Sequence, residues 1–159
     1  MLSDGPSATQ RHALLALILV GAAAIRLAGL ADVPPGLYCD EASTGYDAWS
    51  LAQTGRDQYG ELLPLYARSF GDYNEASYRY LAAPFTAVLG PTVTAVRLPA
   101  ALAGVALVAL LHLLGARLFS PRVGLIAAAL GASSPWLVLF SRVAFRGILL
   151  PLALAGAVA

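Results

Sequence analysis

Long apolar runs constrain this chain more than any other feature of its sequence. Residues 12–30, 96–119 and 123–140 are almost wholly apolar, and the few charged side chains in them lie near the ends of the runs. A helix that crosses the hydrocarbon core of a bilayer needs about 20 such residues. We therefore predict three membrane-spanning helices in an all-α membrane protein, arranged as a helix bundle.

The composition agrees with a membrane protein. Hydrophobic residues make up 58% of the 159-residue chain and charged residues only 12%, whereas soluble domains average about 25% charged residues. The surplus apolar surface requires a non-aqueous solvent, and lipid is the simplest one. The net charge is only +1, and the basic patch that a nucleic-acid partner requires is absent from the sequence.

The two ends of the chain allow further predictions. Residues 147–159 are apolar but too few to cross a bilayer, so we expect the start of a further span there. Residues 1–159 would then be the N-terminal part of a larger membrane domain. A signal peptide is the alternative for residues 12–30, because Arg11 precedes the run. The length of the run and the lack of a cleavage site favour a retained helix.

Charge asymmetry predicts the orientation of the spans. Almost all acidic residues lie in residues 31–79, whereas the turn after the second run carries Arg117 and Arg122 and no acid. Because positive residues in short loops stay cytoplasmic, we expect a multi-pass protein of the cell membrane. Its N-terminus would be cytoplasmic and loop 31–95 extracytoplasmic. In that loop the short apolar stretch 80–90 is predicted to be an interfacial or re-entrant helix.

A second helix is predicted at the start of the outer loop. Residues 41–54 are compatible with a helix that has Asp40 as its N-cap and Gly55 just beyond its last residue. Tyr46 and Trp49 lie three residues apart and would share one face of it. Because these side chains suit the headgroup level of a membrane, we expect an interfacial helix.

Asp40 and Glu41 are the candidate catalytic residues. Two carboxylates just outside a span can reach a lipid-linked substrate at headgroup depth. The alternative is that Asp40 only caps the helix, and both roles are compatible because a helix N-terminus keeps a carboxylate ionised. The one cysteine, Cys39, is interpreted as a small buried residue. The sequence has no metal-site spacing of histidines or cysteines, no serine-hydrolase elbow and no phosphate-binding glycine loop.

The rest of the outer loop is rich in aromatic and acidic residues. Tyr59, Asp72 and Tyr73 are candidate substrate-binding residues, because aromatic rings, acids and amides together are typical of sugar contacts. An interfacial aromatic belt is the alternative interpretation of the same residues.

Three stretches of the sequence together resemble a known family. They are GLYCDEASTGYDAWSLAQTGRDQYGELLPLY, RLPAALAG and SSPWLVLFSRVAFR. The chain resembles the N-terminal region of polytopic glycosyltransferases of the GT-C superfamily, over about residues 12–159. It is most similar to the group of protein O-mannosyltransferases and lipid A aminoarabinose transferases. The Asp-Glu pair in the first outer loop is the most specific of these motifs.

The resemblance implies a mannosyltransferase-like enzyme with a polyprenyl-phosphate sugar as donor. The sugar would be transferred with inversion outside the membrane, to a hydroxyl or amine of a lipid, glycan or protein acceptor. Asp40 would be the general base on the acceptor and Glu41 its supporting neighbour. Arg142 and Arg146 would follow the third span on the outer side, where guanidinium groups suit the leaving phosphate. Anchoring to lipid phosphates is the alternative for both arginines.

One departure from the family pattern bears on the cofactor. In some relatives a second acidic residue follows the third span, near where this chain has Arg146. Its absence weakens any metal proposal at that place and any transfer of the aminoarabinose specificity, and a divalent cation stays open as a cofactor. Two other function classes also stay open: a transporter or flippase fragment, and a non-catalytic membrane assembly protein.

Overall fold

The computed structural model describes residues 7–159, and residues 1–6 of the predicted domain lie outside the described residues. Nine regular elements and one short 3₁₀ turn, Arg146–Ile148, follow one another along this part of the chain. They are, in chain order, α1 (Ala8–Leu27), α2 (Cys39–Thr54), β1 (Tyr66–Ser69), β2 (Asp72–Glu75), α3 (Ser77–Leu89), α4 (Val93–Leu118), α5 (Pro121–Ser133), α6 (Pro135–Phe140) and α7 (Leu149–Val158).

Two of the described helices, α1 and α4, are long and apolar enough to cross a membrane, judged by length and composition. They contain 20 and 26 residues and correspond to the first and second predicted spans. Helices α5 and α7 are apolar but shorter. The fold is therefore predominantly helical, with two candidate membrane-spanning helices.

The third apolar run is not one continuous helix. Helix α5 ends at Ser133, and α6 begins at Pro135 after an extended residue, Ser134. Proline disfavours the helical conformation of the residue before it and has no N–H to donate. The predicted span 123–140 is thus divided into two short helices, and the cause is a proline within the apolar pattern.

Helix α4 is the centre of the packing, with α1, α3, α5 and α7 against it. Many of its buried residues are alanines or glycines, which allow helix axes to approach closely. The closest approach is to α5, where Gly115 faces the backbone of Gly124. Tyr78 of α3 donates a hydrogen bond to the Val96 carbonyl and accepts one from the Ala100 N–H, at distances of 2.9 and 3.2 Å.

The outer loop contains a β-hairpin that the all-α prediction missed. Strands β1 and β2 are antiparallel, and Ser69 pairs with Asp72. The turn residues Phe70 and Gly71 both have positive φ, 50° and 88°, as a two-residue hairpin turn of this hand requires. Glycine adopts this conformation freely, whereas phenylalanine does so at a cost in backbone strain.

The predicted stretch 80–90 is the greater part of α3, which packs against α2 and α4. Arg79 at the start of α3 donates from Nε to Asp47 of α2 over 2.7 Å, and both side chains are buried. Asp47 also accepts the Gln58 N–H at 3.0 Å. Burial raises the pKa of Asp47, and the hydrogen bond from Gln58 and the charge of Arg79 only partly offset that rise. This pair joins the two helices of the outer loop.

A long basic side chain near the end of a span can extend to the membrane–water interface. Arg26 near the end of α1 does not. Its side chain is fully buried and donates to the carbonyls of Ala22, Gly131 and Ala132 at 3.1–3.2 Å. Gly131 and Ala132 lie in the last turn of α5, whose carbonyls lack helical partners. Arg26 therefore attaches α1 to the end of α5.

We expect Gly124→Ala to destabilise the fold by about 1–3 kcal/mol, as overpacking does. An added Cβ would lie 2.5 Å from the His112 carbonyl oxygen, and a backbone atom cannot easily move away. The measurement is thermal unfolding of the intact protein in detergent. The control is Gly21→Ala, where no atom lies within 4 Å of the added Cβ. Equal midpoints for both variants would contradict close α4–α5 packing at this glycine.

Candidate active site

The first turn of α2 places the two predicted catalytic carboxylates on different sides. The helix begins at Cys39 with Tyr38 as N-cap, so the prediction that Asp40 is the N-cap is wrong. Cys39 is exposed, so the prediction that it is buried is wrong as well. Asp40 lies in the first turn, and Glu41 accepts the Tyr38 N–H at 3.1 Å. This contact from the third helical residue back to the N-cap explains the earlier start of the helix.

Asp40 lines a small polar cavity between the outer loop and the segment that precedes α7. The cavity has a volume of about 90 Å³ and is also lined by Asn74, Glu75, Ala144 and Arg146, among others. A water molecule occupies about 30 Å³ of liquid. The cavity can therefore hold the reacting groups of a substrate, but not a whole lipid-linked sugar.

Two of the described arginines line this cavity, Arg79 and Arg146. Arg79 is buried, whereas the side chain of Arg146 is partly exposed to solvent. Its guanidinium donates to the Glu75 carboxylate at 2.7 Å and to Asn74 Oδ1 at 2.8 Å. The Arg146 side chain is 45% exposed and that of Glu75 43%. An ion pair this exposed adds little stability, so Arg146 can change partners at low cost.

Glu41 points away from the cavity and is 1% exposed. Its Oε1 accepts hydrogen bonds from Arg97 Nε at 2.9 Å and from the Ala144 N–H at 2.7 Å, and its Oε2 accepts Arg97 Nη2 at 2.9 Å. Burial by itself would raise the pKa of Glu41. The hydrogen bonds from Arg97, Ala144 and Tyr38 and the Arg97 charge outweigh burial, so the pKa is lowered below its usual range.

Arg97, in the second turn of α4, completes this network. Besides Glu41, it binds the carbonyls of Leu30, Pro34 and Gly36, so all five N–H groups of the guanidinium have partners. The prediction treated Arg97 only as a charge near the start of a span. A signal was present, because RLPAALAG is one of the family-like segments and begins at this arginine.

The Glu41–Arg97 pair controls the geometry of the cavity indirectly. Glu41 is the neighbour of Asp40, and Ala144, which donates to Glu41, is two residues before Arg146. One buried carboxylate thus connects the backbone on both sides of the cavity to the N-terminal end of α4. Neither Glu41 nor Arg97 lines the cavity, and both act on it through the residues they position.

Arg142 has a set of partners that leaves little for a substrate. Its guanidinium donates to the carbonyls of Ile25, Ala28, Gly29 and Val33, at the end of α1 and just beyond it. The residue is 9% exposed and does not line the polar cavity. Substrate binding by Arg142 stays a prediction, while its observed contacts stabilise the exit of α1.

The other predicted substrate residues lie outside the polar cavity. Tyr59 lines a separate cavity. Asp72 and Tyr73 lie on β2, and Asp72 accepts the N–H of its neighbour Tyr73 at 2.8 Å. Their role stays a prediction. Within residues 7–159 no group of three or more histidine, cysteine, aspartate or glutamate side chains is arranged to hold a metal ion.

Comparison with known families decides the classification. Residues 77–158, just over half of the chain, match the family described as dolichyl-phosphate-mannose-protein mannosyltransferase. The chain belongs to this family. No curated protein and no solved structure matches it. Membership confirms the resemblance to GT-C enzymes and supports mannosyltransferase-like glycosyl transfer in a membrane protein.

The family match begins after the outer-loop carboxylates. It contains Arg97, Ala144 and Arg146 but neither Asp40 nor Glu41. The contacts of Glu41 with Arg97 and Ala144 therefore join the unmatched first half of the chain to the matched second half. This mannosyltransferase family member thus has its candidate base and its cavity arginine on opposite sides of that boundary.

We expect Glu41→Gln to remove a pH-dependent part of the stability. The folded-state pKa of Glu41 lies below the ordinary value of 4.5, so the unfolded chain binds more protons between the two values. The stabilisation is present above pH 4.5 and is lost as pH falls through the lowered folded-state pKa. The measurement is the free energy of unfolding from about pH 3 to 6.

The matched control is Glu75→Gln, which removes an exposed carboxylate. We expect it to change the free energy of unfolding at neutral pH by less than about 1 kcal/mol and to keep the acid dependence of the wild type. An unaltered acid dependence in Glu41→Gln would contradict an ionised, stabilising Glu41.

Proposed function

We propose that the protein transfers a sugar from a polyprenyl-phosphate donor to an acceptor hydroxyl or amine on the outer face of the membrane, with inversion at the anomeric carbon. The observation that carries this proposal is that Asp40 and Arg146 line one cavity. A base and a phosphate-binding cation are the two groups that such a displacement needs. They come from segments about a hundred residues apart in the sequence.

Asp40 is proposed as the general base. As the acceptor oxygen attacks the anomeric carbon, its proton passes to the Asp40 carboxylate and the bond between that carbon and the phosphate oxygen breaks. The single displacement inverts the configuration and needs no covalent enzyme intermediate.

Arg146 is proposed to bind the phosphate of the donor. Negative charge develops on that phosphate as it leaves, and a guanidinium stabilises it by charge-assisted hydrogen bonds. Arg146 is held by Glu75 and Asn74, so donor binding would replace this exposed pair. Glu41 and Arg97 are proposed as positioning residues, because they fix the backbone next to Asp40 and Arg146.

The proposed orientation follows from charge and from the helices. Loop 31–95 contains Asp40 and is proposed to lie outside, with Arg117 and Arg122 on the cytoplasmic side. Helices α1 and α4 would then cross the membrane, and the cavity would lie close to the headgroups. A lipid-linked donor could present its phosphate at that depth while its chain stays in the bilayer.

We expect Asp40→Asn to lower the rate of sugar transfer by about 10²–10⁴-fold, the usual contribution of a general base. The assay uses the intact protein in membranes or nanodiscs with a polyprenyl-phosphate sugar. The amide keeps the size of the side chain but cannot accept the proton. The control is Asp32→Asn, an exposed acid earlier in the same loop, which should transfer at the wild-type rate. Wild-type activity in Asp40→Asn would remove Asp40 as the base.

We expect Arg146→Ala to raise the KM for the donor by about tenfold or more, because a hydrogen bond to a charged group contributes about 1.5–3 kcal/mol. The KM for the acceptor should be unchanged. Steady-state kinetics with the donor varied at a fixed acceptor concentration measures this effect. Arg122→Ala, an exposed arginine at the start of α5, is the control. A donor KM unchanged by Arg146→Ala would show that Arg146 does not bind the phosphate.

A further inference from the structure

A second, larger cavity lies on the other side of the first two turns of α2. It has a volume of about 420 Å³, and its lining includes Tyr46, Tyr59 and Phe70 together with Ser43 and Gln58. We propose that this aromatic cavity is the acceptor subsite and that it takes a neutral carbohydrate. This inference rests on the proposed function, because it assumes that a sugar is transferred at Asp40.

Three exposed aromatic rings surround one cavity. Tyr46 is 53% exposed, Tyr59 56% and Phe70 71%. Clustered apolar surface of this kind usually marks a ligand groove or an interface. The lining residues come from α2, from the loop after it and from the hairpin, so three separate segments of the chain supply the rings.

Phe70 lies beside the cavity with a strained backbone. Its φ is +50°, a value that bulky side chains rarely adopt. Glycine or asparagine would be the ordinary residue at this turn position. Strained residues of this type concentrate at binding and catalytic sites. Here the turn holds a phenylalanine beside the cavity, which local stability alone would disfavour.

The polar groups of the cavity fit a neutral ligand that is rich in hydroxyls. The hydroxyl oxygens of Ser43 and Ser69 are 2.9 Å apart, and Gln58 Nε2 donates to Ser43 at 3.0 Å. Among the described residues, none that lines the cavity is charged, and the Arg68 guanidinium lies over the Tyr59 ring, 5.2 Å from its centroid. A pyranose ring presents C–H groups on its faces, which pack on aromatic rings, and hydroxyls at its edge, which pair with serine and amide groups.

The position of the aromatic cavity fits an acceptor. Cys39 lines it while the next residue, Asp40, lines the polar cavity, and Cys39 Sγ lies 4.0 Å from Asp40 Oδ1. Ser43 and Ser69 form a second contact between the two cavities, since Ser69 lines the polar one. A sugar packed on the aromatic rings would therefore lie next to the residues that border the cavity of the proposed base.

A hydrocarbon chain is the less suitable occupant of this cavity. A separate groove that includes Leu139, Phe140 and Val143 presents an apolar surface and has no counterpart to the serine and amide groups. Phe145 lines both this groove and the polar cavity. The polar cavity thus lies between the aromatic cavity and the apolar groove. Of the latter two, only the aromatic cavity combines rings with hydroxyl and amide groups, and this combination suits a carbohydrate.

The first test is direct binding, which needs no turnover. The intact protein in nanodiscs is mixed with methyl glycosides of glucose, mannose and galactose and with maltose and cellobiose, and saturation-transfer NMR reports contact. We expect at least one probe to bind the wild type, and Tyr59→Ala to weaken its binding by about tenfold, the value of one lost aromatic contact. Tyr59→Leu keeps an apolar side chain but removes the aromatic ring, so this variant should also bind the sugar more weakly.

The matched control is Tyr66→Ala, which removes an exposed aromatic ring of the hairpin that does not line the cavity. It should bind the probes like the wild type. Binding of none of the sugars to the wild type would overturn the proposal, as would equal losses in Tyr59→Ala and Tyr66→Ala. Wild-type affinity in Tyr59→Leu would also overturn it, because the ring would then contribute nothing.

Transfer kinetics separate this proposal from the proposed function. With a sugar that binds as acceptor, Tyr59→Ala should raise the acceptor KM by about tenfold and leave the donor KM unchanged, whereas Asp40→Asn should lower kcat. If Asp40→Asn abolishes transfer while Tyr59→Ala leaves the acceptor KM at the wild-type value, the subsite is wrong and the function stands. If the wild type transfers no sugar, the function fails, and the binding experiment still decides whether the cavity takes a carbohydrate.

Discussion

The buried ion pair of Glu41 and Arg97 is the contact on which the rest of the site depends. The two residues are 56 positions apart in the chain, and every N–H of the guanidinium has a partner. Removing one member of such a pair leaves a buried charge without compensation, which typically costs about 3–5 kcal/mol. The pair joins the first turn of α2, the chain from Leu30 to Gly36, the N-terminal end of α4 and the backbone at Ala144. Asp40 and Arg146 line one cavity because these four segments meet at this ion pair.

Arginine side chains perform the same physical task at three places. Arg26 binds the last-turn carbonyls of α5, Arg142 those at and beyond the end of α1, and Arg97 those of the segment that follows. Carbonyls at helix ends lack partners within the helix, and in an apolar surrounding each unsatisfied group costs several kcal/mol. The planar, five-donor guanidinium can serve several such carbonyls at once. An apolar chain can thus break its helices at the level of the outer loop without leaving those carbonyls unsatisfied.

Local patterns in the sequence predicted local features well. Two of the three long apolar runs correspond to α1 and α4, and Gly55 is found just beyond α2 in the left-handed conformation that ends helices. Features that depend on distant contacts were not predictable in this way. The pairing of Glu41 with Arg97 and the inward direction of Arg26 have no periodic signal. The division of the third run at Pro135 did have a local signal, which the apolar pattern obscured.

The candidate site also depends on contacts between distant segments, which local sequence patterns do not predict. The sequence singled out Asp40 and Arg146 separately, but their meeting in one cavity depends on contacts between segments about a hundred residues apart. Adjacent residues in the first turn of a helix point in directions about 100° apart. Cys39, Asp40 and Glu41 therefore face the aromatic cavity, the polar cavity and the buried arginine in turn. One helical turn can therefore combine the proposed acceptor contact, the proposed base and the structural support of the site. If the turn shifted by one residue, each of these three side chains would point in the direction that its neighbour now has.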